Sequence, residues 1–517
     1  MRRIPFASFL VLAVTIPASA GSKQPPWVSL DSAGKLVYRT LPRGDHIVDF
    51  SYAGYMGGGV VLPRVPVALN VQPSGGDDTA AIQHAIDEVS TMPIHDRWHG
   101  AVLLAPGVFQ CSGVLNIKAS GVVLRGSGAG DNGTTLKMTG DPHVAIAIAG
   151  DKQVKYSGTT AHIVQPYVPS GAQSITLDDA SSFAAGDTIR ITRFTTPKWL
   201  HFMGMDGMVR DGKPETWVGD TIHTFRTVAG RQGNVLTLEV PLTDSYDRDY
   251  LPPEGAEVVK TAFPGILEQD GVESLHILAP ARHVAFTDPL FDAVNLDAVR
   301  DAWVRDLRID DTTEGIDAAG DTSRITLEDV VFHHTTSITS PAKPGDLKVR
   351  GGQLLILRCA SVGDDLFYVM TGARNQGPNV VLDSLFRGNG RIQPHQRWAT
   401  GFLVDNTQVP NGGIDLMNRG QMGTGHGWTM GWGVVWNSSA SSLVIQNPPG
   451  AANWSIGTTG AEETAPMKIV GVRNRDLGPD LPRGFIESPN HPVTPVSLYR
   501  QQLLERLGPG ALKALEP

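Results

Sequence analysis

Short apolar runs recur along most of the chain, separated by glycine, proline and polar residues. Each run has the length of a buried strand and is too short for a helix. The runs lie at residues 102–104, 114–117, 122–124, 275–277, 304–309, 325–332, 354–357, 380–386, 402–404, 414–416, 434–436, 443–445 and 469–472. Their spacing is too irregular for an exact repeat but fits a coil whose turns share an apolar interior and differ in loop length. The pattern predicts an all-β parallel β-helix. A β-propeller would also repeat short strands, but no blade signature is present.

Two segments have helical periodicity instead. In the first, apolar residues recur at helical spacing over residues 81–89, and in the second they form a stripe near the C-terminus. The residues that can cap the first helix are Asp77, Asp78 and Thr79. The C-terminal stripe consists of Leu498, Leu503, Leu504 and Leu507. Ser497 can cap this second helix and Gly508 ends it, so we expect it to pack across the open end or side of the coil.

The opening of the coil resembles a known family. Residues 76–87 read GDDTAAIQHAID, and AVLLAPGVF, LNI and SGVVLRGSG follow. Over about 55 residues this combination resembles pectate-lyase-superfamily (pectin-lyase-like) proteins, which are right-handed parallel β-helices. The resemblance implies that the first helix caps the end of the coil. It implies little about the reaction, because lyases, hydrolases, epimerases and phage tailspikes share this opening.

Residues 151–262 interrupt the coil. GAQSITLDDASSFAAGDTIRITRF and GNVLTLEVPL have strand alternation around tight turns, which predicts an inserted small β subdomain. Its loops could wall one side of a cleft. Trp199 could stack on a sugar ring there or pack, with Trp217, in the core of the insertion. The predicted organisation is a signal peptide at 1–20, the N-terminal segment, capping helix and first turns at 21–150, the insertion at 151–262, the main β-helix with its groove at 263–475 and a C-terminal tail with its helix at 476–517.

Composition and charge bear on location and partners. Residues 1–20 combine a basic start, a short apolar stretch and an A-x-A cleavage site, which predicts a periplasmic or secreted protein without a membrane span. A net charge of −9 excludes a general basic field for nucleic acid, so an acidic polysaccharide would need a local basic cleft. Cys111 and Cys359 are far apart, and we predict two free buried thiols. Nothing in the sequence indicates an oligomeric state.

Histidine, arginine, asparagine and tryptophan are densest between residues 377 and 454. β-Elimination of a uronic-acid polysaccharide needs a cation for the carboxylate, a base for the C5 proton and an acid for the leaving oxygen. The residues that suit these catalytic roles are His395, Arg397, His426, Arg419 and Lys348. In this scheme Arg397 and Arg419 bind the carboxylate. His395 or His426 acts as base or acid.

Other polar and aromatic residues would orient the sugars. These substrate-binding candidates are Gln396, Trp398, Asn418, Trp428, Arg374, Arg350, Tyr368 and Trp199. His395 and Arg397 share a face if their segment is extended, and glycines around His426 expose its ring. Structural roles in coil turns explain the same residue types, and we expect Trp436 to lie in the core. The block around PHQRW and GTGHGW is similar to secreted bacterial proteins described as pectate-lyase-like, which implies carbohydrate work without fixing the reaction.

Two alternatives to a lyase stay open. Gly363-Asp364-Asp365 and Gly425-His426-Gly427 resemble short motifs of polygalacturonase-type hydrolases, although the spacing is longer and a final R-x-K motif is absent. Inverting hydrolysis needs two carboxylates with room for a water. The candidate carboxylates are Asp364, Asp365 and Asp405, with Asp297, Asp383 and Asp415 as further partners. The other alternative is a glycan-binding β-helix without catalysis, in which tryptophans form the binding track.

No cofactor is required by these patterns, and Ca²⁺ is left open. The oxygen ligands that could hold Ca²⁺, as in some pectate lyases, are Asp310, Asp311, Glu314 and Asp317, or Asp364 with Asp365. Aspartate-rich turns at coil corners account for the same residues without a metal. The pair His333-His334 has no zinc-site spacing.

Overall fold

The computed structural model describes residues 24–210, 212–337, 342–463 and 482–517. Within them, short parallel strands stack into three ladders around an apolar interior, which confirms the predicted β-helix. We name the ladders A, B and C in the order in which each turn of the coil passes through them. The predicted signal peptide at 1–20 and the apolar run at 469–472 lie outside the described residues.

The strands of each ladder are as follows. Ladder A contains Val67–Val71, Gly100–Leu104, Val122–Arg125, Leu355–Leu357, Gln376–Leu382, Ala399–Asp405, Val434–Trp436, Trp454–Ile456 and Phe485–Glu487, with short extensions at Leu267–Glu268 and Met430–Gly431. Ladder B contains Gly107–Cys111, Thr134–Met138, Ala360–Val362 and Leu385–Arg387. Ladder C contains Leu115–Ile117, Val144–Ala149, Asp292–Asp297, Glu314–Ala318, Gly345–Val349, Phe367–Thr371 and Arg391–Ile392.

Longer strands bend at the corners and so belong to two ladders. Those that run from ladder A into ladder B are Gly271–Leu278, Val299–Asp310 and Ser323–His333. Those that run from ladder B into ladder C are Gln408–Leu416, Ser439–Ile445 and Thr459–Glu462. These bends explain why the apolar runs of the sequence differ in length from turn to turn.

Register in ladder C is set by the interior. Ile316 pairs with Leu347, Leu347 with Val369, and the series continues through Ile392 and Ile414. All five side chains are buried in the same cluster. A slip by one residue would turn each strand's apolar side chain outward, so burial holds the turns in phase.

Two helices flank the coil as predicted. Helix α1, Thr79–Val89, buries its apolar side against the first turn. Its N-cap is Asp78, and the preceding Asp77 accepts the Thr79 amide at 3.0 Å. The C-terminal helix Leu498–Leu507, named α4 below, begins at Ser497, whose hydroxyl accepts the Arg500 amide at 3.1 Å. It packs on the outer side of ladder A. Of its predicted stripe, Leu507 stays exposed.

The insertion forms an antiparallel sheet with a core of its own. Its strands, in spatial order, are Lys155–His162, Glu257–Ala262, Thr188–Phe194, Thr221–Gln232, Val235–Leu238 and Ser174–Thr176. Two small pairs join Tyr167–Val168 to Tyr246–Asp247 and Val209–Arg210 to Lys213–Pro214. Helix α2 is Pro197–Phe202, and a one-turn helix, α3, is Met422–Gly425 in the coil. The remaining elements are a hairpin and three 3₁₀ turns. The hairpin consists of Val28–Leu30 and Leu36–Tyr38, and the 3₁₀ turns are Tyr55–Gly57, Arg248–Tyr250 and Pro509–Leu515.

Both cysteines are buried and free, as predicted. Burial raises the pKa of each thiol to about 12, which leaves them protonated and inert. In the described part of the chain, no helix is both long enough and apolar enough to cross a membrane.

Candidate active site

Three of the predicted catalytic residues meet where ladder C turns toward ladder A. His395 follows the strand Arg391–Ile392, Arg419 follows Gln408–Leu416, and His426 comes directly after α3. Because successive turns of the coil stack at about 4.8 Å, residues far apart in sequence become neighbours at this corner. We call these three residues the His–Arg cluster.

Contacts within the His–Arg cluster are direct. The Nη1 of Arg419 donates to Nδ1 of His395 at 3.1 Å and to its carbonyl oxygen at 2.7 Å. The rings of His395 and His426 lie 4.7 Å apart, centroid to centroid. Phe367 completes the group, since its ring meets His395 edge-on at 5.2 Å and lies 5.5 Å from the Arg419 guanidinium.

Phe367 was missed from the sequence, which favoured its neighbour Tyr368. The pairing register shifts between Phe367 and Val369, so strict alternation fails in this strand. Tyr368 therefore lies inside the coil, stacked on Phe386 at 5.2 Å. Its hydroxyl donates to the Gly363 carbonyl at 3.1 Å, so it is not available to a sugar. Only the irregular register, which apolar patterning does not encode, would have shown this.

The charge of Arg419 is buried and has no counter-ion among the residues that the structure describes. Its side chain is 5% exposed, and no carboxylate among the described residues forms an ion pair with it. Its Nε, also buried, has no hydrogen-bond partner in the described part of the chain. Burial lowers the pKa of Arg419 to about 10 against the opposing effect of Asp415, so the side chain remains a cation at neutral pH.

His395 is neutral and has a defined tautomer. Burial first, and then Arg419, His426 and Lys348, lower its pKa well below the ordinary value. A guanidinium can only donate, so Nδ1 of His395 accepts from Arg419 and the ring proton is on Nε2. His395 can thus offer an N–H from Nε2 but is poorly suited to take a proton there.

Arg397, Gln396 and Asn418 border the cluster. Arg397 donates to the Thr424 hydroxyl at 2.7 Å and lies 4.0 Å from Glu215 of the insertion. The extended segment that would put His395 and Arg397 on one face is not formed, because residues 396–397 form a bend and Arg397 has φ of 57°. Asn418 accepts the Gly420 amide at 2.7 Å and so shapes its own turn. Gln396 is partly exposed beside His395.

The predicted aromatic platforms are structural. Trp199, Trp398 and Trp428 are 2–4% exposed and join the insertion to the coil. Trp398 donates to Asp244 at 3.0 Å and Trp428 to the Met203 carbonyl at 3.1 Å. Trp199 stacks on Trp217 at 5.2 Å. All three side chains are buried, and the indole N–H groups of Trp398 and Trp428 are bound by protein, so we do not retain them as sugar-binding residues.

The predicted hydrolase carboxylates are dispersed. Asp364 accepts the Asn389 amide at 2.8 Å, and the Asn389 side chain accepts the Asp365 amide at 2.6 Å, which ties a corner between ladders B and C. Asp405 ends a strand of ladder A and accepts the Tyr499 amide at 2.8 Å, at the start of α4. Asp405 is fully buried there. These positions give no facing pair of carboxylates.

Lys348 lies on ladder C in a charged group of its own. Its Nζ is 2.9 Å from Glu314 and 3.2 Å from Asp317, and Arg350 binds Asp317 through two bonds of 2.7 Å. Burial raises the pKa of Glu314 to about 7 although Lys348 opposes it. Burial alone would lower the pKa of Lys348, but the charges of Glu314 and Asp317 outweigh burial and raise this pKa above its ordinary value. The lysine is charged at neutral pH.

The residues suggested for Ca²⁺ do not fit a cation. Lys348 sits between Glu314 and Asp317, and Asp310 is 2.7 Å from Arg308. Asp311 accepts the Thr335 amide and hydroxyl. Over the described ranges, no group of three or more histidine, cysteine, aspartate or glutamate side chains is placed to hold a metal.

Comparison with known proteins gives backbone likeness only. No protein-family model matches the chain, and no curated protein matches it. Among solved structures, the chain is similar to the tailspike gp49 of Pseudomonas phage LKA1, with 13% identity, 74% of this chain and 69% of that chain covered, and a TM-score of 0.32. For an exopolygalacturonase from Thermotoga maritima the values are 11%, 78%, 77% and 0.31. For a PL6 family polysaccharide lyase from Pseudopedobacter saltans they are 10%, 81%, 92% and 0.32. The stacked parallel ladders themselves give the chain a parallel β-helix architecture.

Proposed function

We propose that the protein degrades an acidic polysaccharide, and that it does so by β-elimination at the His–Arg cluster. The observation that carries this proposal is the buried Arg419 cation, which lacks a carboxylate partner among the described residues. A buried guanidinium is costly unless an anion accompanies it. A planar uronate carboxylate matches the fork of an arginine and would supply that anion.

Each part of the reaction has a group near the cluster. Arg419 binds the carboxylate and stabilises the negative charge that develops as the C5 proton leaves. The Nε2 proton of His395 adds a second hydrogen bond to the same developing charge. His426, with its ring 4.7 Å from that of His395, takes the C5 proton as general base.

The elimination balances without another reactant. The electrons of the C5–H bond form a C4–C5 double bond, and the bond from C4 to the bridging oxygen breaks. That oxygen receives a proton from the Lys348 ammonium, which Glu314 and Asp317 hold on the same ladder. The charge of Lys348 contributes to lowering the pKa of His395, which supports a role for both groups in one reaction.

Hydrolysis is not supported by the positions of the candidate aspartates. Inverting hydrolysis needs two carboxylates on either side of one sugar bond. Asp364 and Asp365 hold a corner turn, and Asp405 holds α4. Binding without catalysis would leave the neutral His395 and the adjoining His426 without a role, because recognition alone does not need paired imidazoles.

Location follows as part of the same proposal. Residues 1–20 have the pattern of a signal peptide, and a polymer-degrading enzyme must meet its substrate outside the cytoplasm. We therefore propose a periplasmic or secreted enzyme.

A glycan-panel digest tests the proposal. Alginate, polygalacturonate, hyaluronan and neutral dextran are each incubated with the protein, and ultraviolet absorbance and reducing ends are followed together. A lyase produces both signals from one acidic polymer, because the new double bond is conjugated with the carboxylate. Reducing ends without absorbance would mean hydrolysis and would overturn the proposal, as would full activity in His426→Ala.

A further inference from the structure

A second cationic region lies apart from the His–Arg cluster. It is a cleft of about 490 Å³ between the N-terminal segment, the insertion and the turns from ladder C to ladder A. Its walls carry six arginines against the two carboxylates of Glu239 and Asp321. The arginines are Arg226, Arg300, Arg324, Arg350, Arg374 and Arg506. In a chain of net charge −9, this excess of cations is concentrated in one concave surface.

Half of these arginines have carboxylate partners. Arg300 pairs with Glu268, Arg324 with Asp301 and Arg350 with Asp317. Those three pairs are close to neutral and contribute shape and hydrogen-bond donors rather than net charge.

The other three are bound to neutral groups within the described residues. Arg226 donates to the carbonyls of Pro241 and Gly377, at 3.0 and 2.9 Å. Arg374 donates to the Thr221 carbonyl at 3.3 Å, and Arg506 donates to the Ser51 carbonyl at 2.7 Å. Carbonyl groups orient a guanidinium without cancelling its charge, so these three cations outnumber the lining carboxylates Glu239 and Asp321 by one.

Arg374 is the best placed of the three to meet a ligand. It is exposed, whereas Arg226 is fully buried beneath the cleft and Arg506 is tied to the N-terminal segment. The insertion forms the facing wall, since Gly219 and Thr221 lie against the Arg374 guanidinium. A glycine at position 219 leaves room beside the charge.

We propose that this cleft is a second binding site for an acidic glycan chain, which rests on the proposed function for its substrate class. None of its lining residues belongs to the His–Arg cluster. Asp317 links the cleft to the proposed reaction, because it binds both Arg350 of the cleft and Lys348, the proposed acid. One long polyanion can therefore occupy both, with its reacting sugar at His426 and a distant stretch in the cleft.

The test measures binding rather than turnover. Long alginate, polygalacturonate and hyaluronan fragments are titrated calorimetrically into the His426→Ala protein, into His426→Ala with Arg374→Glu, and into His426→Ala with Arg387→Glu. Arg387 is an exposed arginine on ladder B and gives the same change of charge far from the cleft. We expect Arg374→Glu to weaken binding of an acidic fragment about tenfold and to reduce its salt dependence, with Arg387→Glu close to the parent.

Several outcomes separate the two proposals. Equal affinities for the Arg374→Glu and Arg387→Glu proteins would overturn the second site, whatever the enzyme cleaves. Specific loss of binding in Arg374→Glu, in a protein that cleaves no acidic glycan, would support the second site while the proposed lyase fails. If Arg374→Glu unfolds, Arg374→Gln takes its place, and an unchanged affinity there would also overturn the site.

Discussion

Ladders A and C enclose the same apolar interior, but their outer faces differ in polarity and in the segments that cover them. The outer face of ladder A is apolar, and the N-terminal segment and α4 cover it. Its buried residues include Leu355, Leu357, Val380, Leu382, Leu403, Val434, Trp436, Trp454 and Ile456. The outer face of ladder C instead carries Glu314, Asp317, Lys348, Arg391, Asp415 and, at its corner, His395 and Arg419.

This difference separates stability from chemistry. Burying the apolar face of ladder A contributes stability at about 25 cal/mol for each Å² removed from water. The charges of ladder C give no such gain and are retained through ion pairs that hold their side chains in place. Variants on the two faces should therefore change different measurements.

The largest expected effect is on ladder A. Trp436 is fully buried, and its indole donates to the Pro495 carbonyl at 2.9 Å, next to the start of α4. We expect Trp436→Ala to lower the free energy of unfolding by about 3–5 kcal/mol, because it leaves a large cavity. Urea denaturation measures this. As a control, Arg387→Ala changes an exposed side chain on ladder B and should have the same free energy of unfolding as the parent. A drop in activity of the folded protein without a loss of stability would contradict the comparison.

The second-largest effect is expected at the corner of ladder C. It is an effect on activity rather than on the free energy of unfolding. Arg419→Ala should lower kcat/KM about 10²–10³-fold, since one preorganised donor to a developing anion is lost. Arg419→Lys keeps the charge without the planar fork and should retain more activity than alanine. Steady-state kinetics on the polymer identified in the panel measures both. Unchanged kinetics in Arg419→Ala, with the protein folded, would remove the cluster as the active site.

The third prediction concerns pH and ladder A. Burial raises the pKa of Asp405 to about 7, although the amide of Tyr499 and the hydroxyl of Ser497 oppose the shift. The pKa of Asp405 is 3.8 in the unfolded chain. Between that pH and about pH 7, the folded protein holds a proton that the unfolded chain has released. The stability contributed by Asp405 is therefore present at low pH and is lost as the pH rises through 7.

Asp405→Asn removes this titration. Relative to the parent, we expect its unfolding free energy to improve by about 1–3 kcal/mol between roughly pH 5 and pH 8. Denaturation curves across that range measure the difference. Burial also raises the pKa of Glu314 on ladder C to about 7, so Glu314→Gln should change the pH dependence of stability in the same direction. Parallel curves for Asp405→Asn and the parent would show that Asp405 is charged in the folded protein.

The smallest effect compares two adjacent residues. Tyr368→Phe should cost about 1–2 kcal/mol of stability, because the Gly390 amide loses its bond to the hydroxyl, and should leave activity unchanged. Phe367→Leu, one position away but outside the coil, should lower activity by removing the ring against His395. Paired unfolding and kinetic measurements decide this. Equal activity loss in both variants would mean that the register shift does not set the site.

Much of the fold could be predicted because it depends on local patterns. Within the described residues, the short apolar runs, the helix after Asp77 and the helix after Ser497 exist where the sequence indicated them. Trp436 in the core and two free cysteines also follow from residue type. Three members of the predicted site do come together, since dense histidine and arginine in strand-ending turns converge when the turns stack.

The rest depended on contacts between distant segments. Nothing in the sequence near Trp398 or Trp428 indicates that their indole N–H groups would donate hydrogen bonds to Asp244 and Met203 of the insertion. Asp405 accepts the Tyr499 amide in the first turn of a helix that begins about ninety residues later in the sequence.

By itself, the sequence determined that apolar strands must stack into a coil, because each run is too short to bury itself alone. Tertiary structure decided which face of each ladder another segment covers, and which polar groups were left to meet one another. In particular, the shift between Phe367 and Val369 and the placement of Arg419 beside His395 arise only when neighbouring turns are in register. Side-chain periodicity fixes what goes inside. The partners of a charge outside depend on the whole coil.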